Sequence, residues 1–418
     1  MRQLLILFLA ALPPAAFAAE IQTGITWREC VEIALKNNPD LSAQRNSVEQ
    51  AKYSYMAGLN SLYPQIGLSH SFSRSGGQAA SPSSRWGAGI SASEKLFDLR
   101  SYSSIRSSRL SFEKAEEDYR DRSASIRQSL STAFLNLIYA QANLKAQRRI
   151  QEIREQNAGL ISLKYASGME SRGNMLYSAA LAAQAKSDIA RAERSVDSAR
   201  RDLLNAMGSA DYVPLTAKDD LALPDEKLEL SGIRARIEQI PQIASQKKSL
   251  EILKERSLSA KFDALPTLSA SQGVSWSGDS EFPGTRSWSF GFSLSLPLFS
   301  NGPTYYADNN KAARSALKSG EDSLRSTRQR LENSIVSSYY SYQNAADSAR
   351  SIDAVLKANE ERYEESRIHY QAGQISFIDL ENIEQSLVDS QLNRLNYLKN
   401  ANVAWIGVEN LLGVGLGE

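Results

Sequence analysis

The 418-residue sequence predicts a mainly α-helical chain that also carries transmembrane β-strands, built as a tandem duplication. Three observations predict this class. The two halves of the chain align with each other, and each half holds two segments of period-2 alternation. Each half then runs into a long proline-free stretch of helical period.

Composition sets the first limits. The chain has 48 Lys and Arg against 47 Asp and Glu, so no basic excess exists to neutralise nucleic-acid phosphates. One Cys and two His exclude a disulfide scaffold and a Cys/His zinc site. Beyond the N-terminus no apolar run reaches the roughly 18 residues that a transmembrane helix needs. The N-terminus itself reads as an export signal over 1–18. Arg2 supplies a positive start, 4–12 is wholly apolar, and Ala16-Phe17-Ala18 is a cleavage site. Pro13 and Pro14 argue against a buried helix there. Cys30 falls in a helical pattern and is expected to act as a small buried hydrophobe.

An offset of 202 aligns Pro39 with Pro241, Pro64 with Pro266, Trp86 with Trp288, and Leu96-Phe97 with Leu298-Phe299. The offset then grows by three and aligns Tyr165 with Tyr370, Gly168 with Gly373, and Gly208 with Gly413. An ordered series of this kind marks a duplication. The expected repeats are 19–208 and 236–418, joined by a connector over 209–235. Each repeat opens on a helical segment, 26–62 or 229–263, interrupted by Pro39 or Pro241 and ended by Pro64 or Pro266.

Strands follow those prolines. In 65–73, Ile66, Leu68, His70 and Phe72 oppose a face of Gln, Gly and Ser. In 85–96, Trp86, Ala88, Ile90, Ala92 and Leu96 share the apolar face. In 267–276 it is Leu268, Ala270, Val274 and Trp276. In 287–296, Trp288, Phe290, Phe292, Leu294 and Leu296 face away from Ser287, Ser289, Gly291, Ser293 and Ser295. Segments of this length cross a bilayer at a tilt, and a Ser/Gly face suits a wet lumen. Hairpin loops are expected at 74–84 and 277–286, with Trp86, Trp276 and Trp288 near them as an interfacial aromatic girdle. Four strands cannot close, and an open edge is untenable in lipid. Three copies would supply twelve.

The helical stretches come next. Ile126, Leu130, Phe134, Leu137 and Leu144 form an apolar seam in the first half. Leu331, Ile335, Tyr339 and Tyr342 repeat it at an offset of 205. Ile383, Leu387, Leu395, Leu398, Trp405, Val408 and Leu412 continue the seam, with the 3-4 spacing of coiled-coil packing. A helix over 101–166 would be roughly 95 Å long. The Ala-rich helix expected over 172–207 allows close backbone approach.

Signal, duplication, paired strands and long helical hairpins together resemble the TolC-like outer-membrane efflux family. The likeness spans essentially the whole mature chain. Its most specific stretch is Tyr370-Gln-Ala-Gly373-Gln-Ile-Ser376-Phe-Ile-Asp379-Leu380, which is similar to the family's helix-to-helix turn. Tyr165-Ala-Ser-Gly168 echoes its beginning, and Leu411-Leu412-Gly413 is similar to the family's C-terminal end. The resemblance implies a homotrimer: a twelve-stranded barrel in outer-membrane lipid, continued by a periplasmic α-helical coiled-coil barrel. It implies a passive exit duct of a tripartite efflux or type I secretion system, opened by a periplasmic adaptor (membrane fusion) protein and an inner-membrane RND or ABC transporter. Gly168, Ser171, Gly373 and Ser376 would form the adaptor-docking tip. Asp379, with Asn174 at the matching first-half position, would line the constriction; the alternative is that Asp379 is simply an acid at a helix start, favoured by the helix dipole.

The sequence also departs from the family. The Arg that some members carry two residues after the second turn glycine is Ile375 here, and their second gate acid is Asn382. Tyr370 and Asp379 are the latch residues that remain. No cofactor, metal or nucleic acid is expected. Neither His70 nor His369 has the surroundings of a catalytic base, and no phosphate-binding loop occurs, so an enzyme is not expected. The alternative that the residues leave open is a periplasmic coiled-coil scaffold with soluble hairpins.

Overall fold

The computed structural model describes residues 24–77, 80–224, 232, 236–298 and 301–417. The export signal, part of the connector, Phe299 and the C-terminal residue lie outside the described residues. In chain order the elements are β1 (Gly24–Ile25), α1 (Trp27–Asn37), α2 (Pro39–Leu59), β2 (Gln65–Gly77), β3 (Ala80–Phe97), α3 (Leu99–Ala166) and α4 (Arg172–Met207). They continue with β4 (Thr216–Ala217), α5 (Pro241–Phe262), β5 (Thr267–Gly278), β6 (Thr285–Ser295), α6 (Tyr305–Gln371) and α7 (Phe377–Leu411). Two compact units emerge, and each takes chain from both sequence halves.

The first unit comprises 38–129, 223–348 and 400–418. It holds a four-stranded antiparallel sheet in the order β2-β3-β5-β6. Between the bulges at Ser75/Gly77 and Lys95/Phe97, register carries the alternation across all four strands; past the second bulge Phe97, not Leu96, pairs with Leu268. Leu68, Ile90, Val274 and Trp288 form one row, while Ser69, Gly89, Ser275 and Ser287 form the next on the opposite face. The apolar face is open: Leu68 is 83% exposed and Trp288 77%. One expectation needs correction here. The first hairpin loop is not 74–84, because β2 runs to Gly77 and β3 starts at Ala80, extended by cross-strand pairs such as Arg74 with Ser84. Ser and Gly signal turns by composition, yet here they occupy a ladder whose polar face tolerates them. The three Trp lie on the apolar face, in neighbouring rows. Trp86 pairs with Phe72 and Gly278, Trp276 with Ala88 and Arg286, and Trp288 with Val274, so they lie on a diagonal across successive rows.

The helices of this unit pack on Ile237, Ile240, Ile243, Leu331, Ile335, Tyr339 and Val408, with Trp405, Leu411 and Leu412 around them. Gly413 ends α7 at φ +75°, and a Cβ there would lie 2.4 Å from Pro241 Cδ. The conformation and the close approach both require glycine.

The second unit comprises 130–222, 349–399 and the chain before Asn38. β1 and β4 form a two-stranded parallel sheet, an element the connector's composition did not reveal. Cys30 is fully buried beside it, and burial pushes its thiol up to about 12. In α4 the buried Ser178, Ala185, Ala192 and Ala199 recur every seven residues. In α7 of this unit Leu380 and Leu387 do the same. A seven-residue repeat keeps one narrow seam against the neighbouring helix. Among the described residues no helix is long and apolar enough to cross a membrane.

Candidate gate and docking tip

Within the second unit, α3 turns into α4 and α6 turns into α7 through the same backbone device. Gly168 (φ +77°) donates its N–H to the Tyr165 carbonyl at 2.9 Å, and Met169 to that of Lys164 at 2.9 Å. Gly373 (φ +73°) donates to Tyr370 at 3.1 Å, and Gln374 to His369 at 2.9 Å. Both are Schellman motifs, which satisfy carbonyls that the helix end would leave unpaired. Neither glycine has an atom within 4 Å of a would-be Cβ, so only the positive φ demands it.

The following helices are capped by the two serines. Ser376 Oγ accepts from the Asp379 N–H at 3.3 Å, while Asp379 Oδ2 accepts from the Ser376 N–H at 3.1 Å and hydroxyl at 2.6 Å. This reciprocal pair is a capping box. The hydroxyl and backbone bonds from Ser376 hold the Asp379 carboxyl below its ordinary range. In the first half Ser171 Oγ accepts from the Asn174 N–H at 3.1 Å, but Asn174 cannot return an anionic oxygen. Glu170 does so instead: its Oε1 accepts from the Ser171 N–H at 2.9 Å and from Asn174 Nδ2 at 2.7 Å.

Glu170 also ties the two turns together. Its Oε2 accepts from the Tyr370 hydroxyl at 2.6 Å. Lys164 donates to the Tyr370 carbonyl at 2.5 Å, and its ammonium lies 4.3 Å above the Tyr370 ring. Tyr370 is 2% exposed. Burial, then the neighbouring carboxylate, raise its phenol well above the ordinary range. Burial would raise Glu170, yet the bonds from Tyr370, Ser171 and Asn174 outweigh it and leave that carboxyl lowered. Tyr177 adds a second tie, its hydroxyl donating to Glu381 at 3.2 Å. These side chains line an open groove of about 800 Å³.

The structure therefore brings Tyr370 to Glu170 rather than to Asp379, which is exposed and engaged with Ser376. Asn382 is exposed on α7. Sequence reasoning missed Glu170 and Lys164. The signal for Glu170 was its place directly before the capping serine, opposite an Asn where a carboxylate was expected. Reasoning also missed the exposed apolar residues flanking the turns: Leu163, Met169, Leu176, Ile368 and Ile378.

Away from the turns, a buried polar cluster joins α3, α6 and α7. Arg154 and Glu384 form an ion pair at 3.5 Å, with both side chains below a tenth exposed. Asn157 donates to Glu384 and accepts from the Tyr363 hydroxyl at 3.2 Å. Burial raises the Glu384 carboxyl despite these partners. Among the described residues no group of His, Cys, Asp and Glu is placed to hold a metal.

The outer membrane efflux protein model matches residues 30–209 and 233–414. The chain belongs to this family. Membership makes it an outer-membrane channel protein rather than an enzyme, and the soluble-scaffold alternative falls with that placement. Among curated relatives, the alkaline protease secretion protein AprF of Pseudomonas aeruginosa is 24% identical, over 97% of this chain and 87% of that protein. The fold matches the CusC transmembrane channel with a TM-score of 0.83 at 18% identity, covering 95% of this chain and 96% of that one. It matches the open state of the Neisseria gonorrhoeae MtrE outer membrane channel at 0.82 and 21% identity, covering 93% and 89%. The efflux-family fold thus accounts for both the strand and the helical elements.

Proposed function

We propose that three copies of this efflux-family chain assemble into a passive exit duct. β2 of one copy would pair with β6 of the next, giving a twelve-stranded barrel continued by a periplasmic helical conduit. One observation carries this reading: a four-stranded sheet whose edge strands β2 and β6 have, among the described residues, no further strand beside them, with an exposed apolar face and an opposite face of Ser and Gly. In hydrocarbon every backbone group needs a partner, and only closure satisfies both edges. Trp86, Trp276 and Trp288 would form the aromatic girdle.

The Gly168 and Gly373 turns would be the docking tip for a periplasmic adaptor, with Ser171 and Ser376 as their caps and the exposed apolar residues beside them as the contact surface. The Tyr370–Glu170 tie would hold the tip closed until the adaptor and an inner-membrane RND or ABC transporter engage. Asp379, Asn174 and Asn382 would face the constriction, where a carboxylate ring favours cations. The likeness to AprF supports a secreted polypeptide as cargo.

The assembly is tested by detergent extraction followed by unheated gel electrophoresis. A heat-dissociable trimer that conducts in a planar bilayer is expected, and a monomeric, non-conducting protein would sink the duct. For the cargo, a deletion strain should lose a secreted protein without gaining drug sensitivity; the reverse outcome would favour drug efflux.

A further inference from the structure

We infer that the apolar face of the sheet binds lipids with net-anionic headgroups at its hairpin end, through Arg74 and Arg286. The inference rests on the membrane-spanning reading of that sheet. Register assigns every ionisable strand residue to a face. Arg85, paired with Ser73, and Lys95, paired with Ser269, lie on the Ser/Gly face. The apolar face carries His70, Arg74 and Arg286 at the hairpin end, and Glu94 at the helix end beside Ala270. Six residues of β3, about 20 Å of strand, separate Glu94 from Ala88 in the row of His70 and Arg286. The charge on this face is therefore basic at one end and acidic at the other.

Arg74 and Arg286 are both exposed, and among the described residues neither has a carboxylate within ion-pair reach. Asp279 and Glu281 occupy the loop beside Arg286 without pairing to it. Each Arg neighbours aromatic rings on the same face. Arg286 is directly opposite Trp276 and two residues from Trp288. Arg74 is two residues from Phe72, whose ring centroid lies 4.6 Å from that of Trp86, and His70 stacks on Trp86 at 5.6 Å. Trp rings settle at headgroup level, and an unpaired guanidinium on a lipid face is tolerable only where it reaches a counter-charge. The guanidinium fork fits phosphate oxygens. Basic charge at headgroup depth, with no ion pair to the loop acids among the described residues and no acid on the strands of that face at this end, selects an anionic occupant.

Tryptophan quenching by brominated lipids reads this directly. Trp27 sits in α1 and Trp405 in α7, so bromines in the acyl chains report on Trp86, Trp276 and Trp288. The full-length protein is reconstituted in brominated phosphatidylcholine, and separately in brominated phosphatidylglycerol. The expected association preference for phosphatidylglycerol is about fivefold. It should fall towards one in the Arg74→Gln/Arg286→Gln double variant. Equal association of both lipids with the wild type, or an undiminished preference in the double variant, would overturn the headgroup site and leave the barrel standing. Absence of quenching by either lipid would instead overturn the barrel.

Discussion

At the turns the Tyr370 hydroxyl is one of the ties between the two halves of the duplicated chain, and the one that ends on a buried ring. Tyr370→Phe removes the donor from a charged acceptor, a loss of about 1–3 kcal/mol. The expected readout is a larger or noisier conductance in a planar bilayer, with Glu170→Gln giving the same phenotype. An unchanged trace from correctly inserted Tyr370→Phe would remove the tie from the gate. The pH dependence follows from Glu170. Its folded carboxyl is lowered, so its stabilising contribution is present above the ordinary Glu value of 4.5 and is lost as pH falls through the depressed one. Conductance should therefore be steady from neutral pH down to about 5, and rise only in stronger acid; Glu170→Gln should abolish that rise. For Asp379 two roles can be separated. Asp379→Ala removes both the cap and the carboxylate, whereas Ser376→Ala removes the cap alone at about 1 kcal/mol. A change in cation preference in Asp379→Ala but not in Ser376→Ala would place the carboxylate in the pore; identical behaviour would leave it as a cap.

Among the elements, the long helices end at glycines of the same geometry but different surroundings. Gly168 and Gly373 need glycine only for φ, so alanine there costs about 1–2 kcal/mol. Gly413→Ala must also displace the Pro241 ring, so it should lower the melting temperature more than either, measured by circular dichroism. Equal shifts for all three would refute that order. The buried Arg154–Glu384 pair obeys a different rule. Removing one partner strands the other charge, so Arg154→Leu should cost about 3–5 kcal/mol, and Arg154→Leu/Glu384→Leu much less. Denaturant melts of the two variants measure the difference. Periodicity made these helices legible in advance: Ile126, Leu130, Phe134 and Leu137 are all buried as their spacing requires. Periodicity could not reveal that Arg154 and Glu384 share one buried cluster, because they lie 230 positions apart in sequence. It also could not reveal the Thr216–Ala217 strand, whose two residues are too few to show a period.

For the whole molecule, closure of the barrel is the decisive issue. Cysteines introduced on the Ser face of β2 and of β6, scanned in pairs such as Ser69 with Ser289, should yield disulfide-linked trimers for at least one pair in register. Cys30 is buried with its thiol held up at about 12, so it stays protonated and does not interfere. If no pair gives linked species while the protein still inserts, β2 and β6 do not meet.

The sequence by itself determined the helical seams, the alternation that puts aromatic and aliphatic residues on one sheet face, and the glycines at the turns. Each is a local property, set by period or by the steric freedom of one residue. Only the tertiary structure decided the sheet order, with β3 beside β5, and the pairing of Tyr370 with Glu170. It also decided the register that gathers Arg74, His70 and Arg286 at one end of the apolar face. Those depend on which distant segments meet, and side-chain period fixes the face of a residue without fixing its neighbour across the ladder.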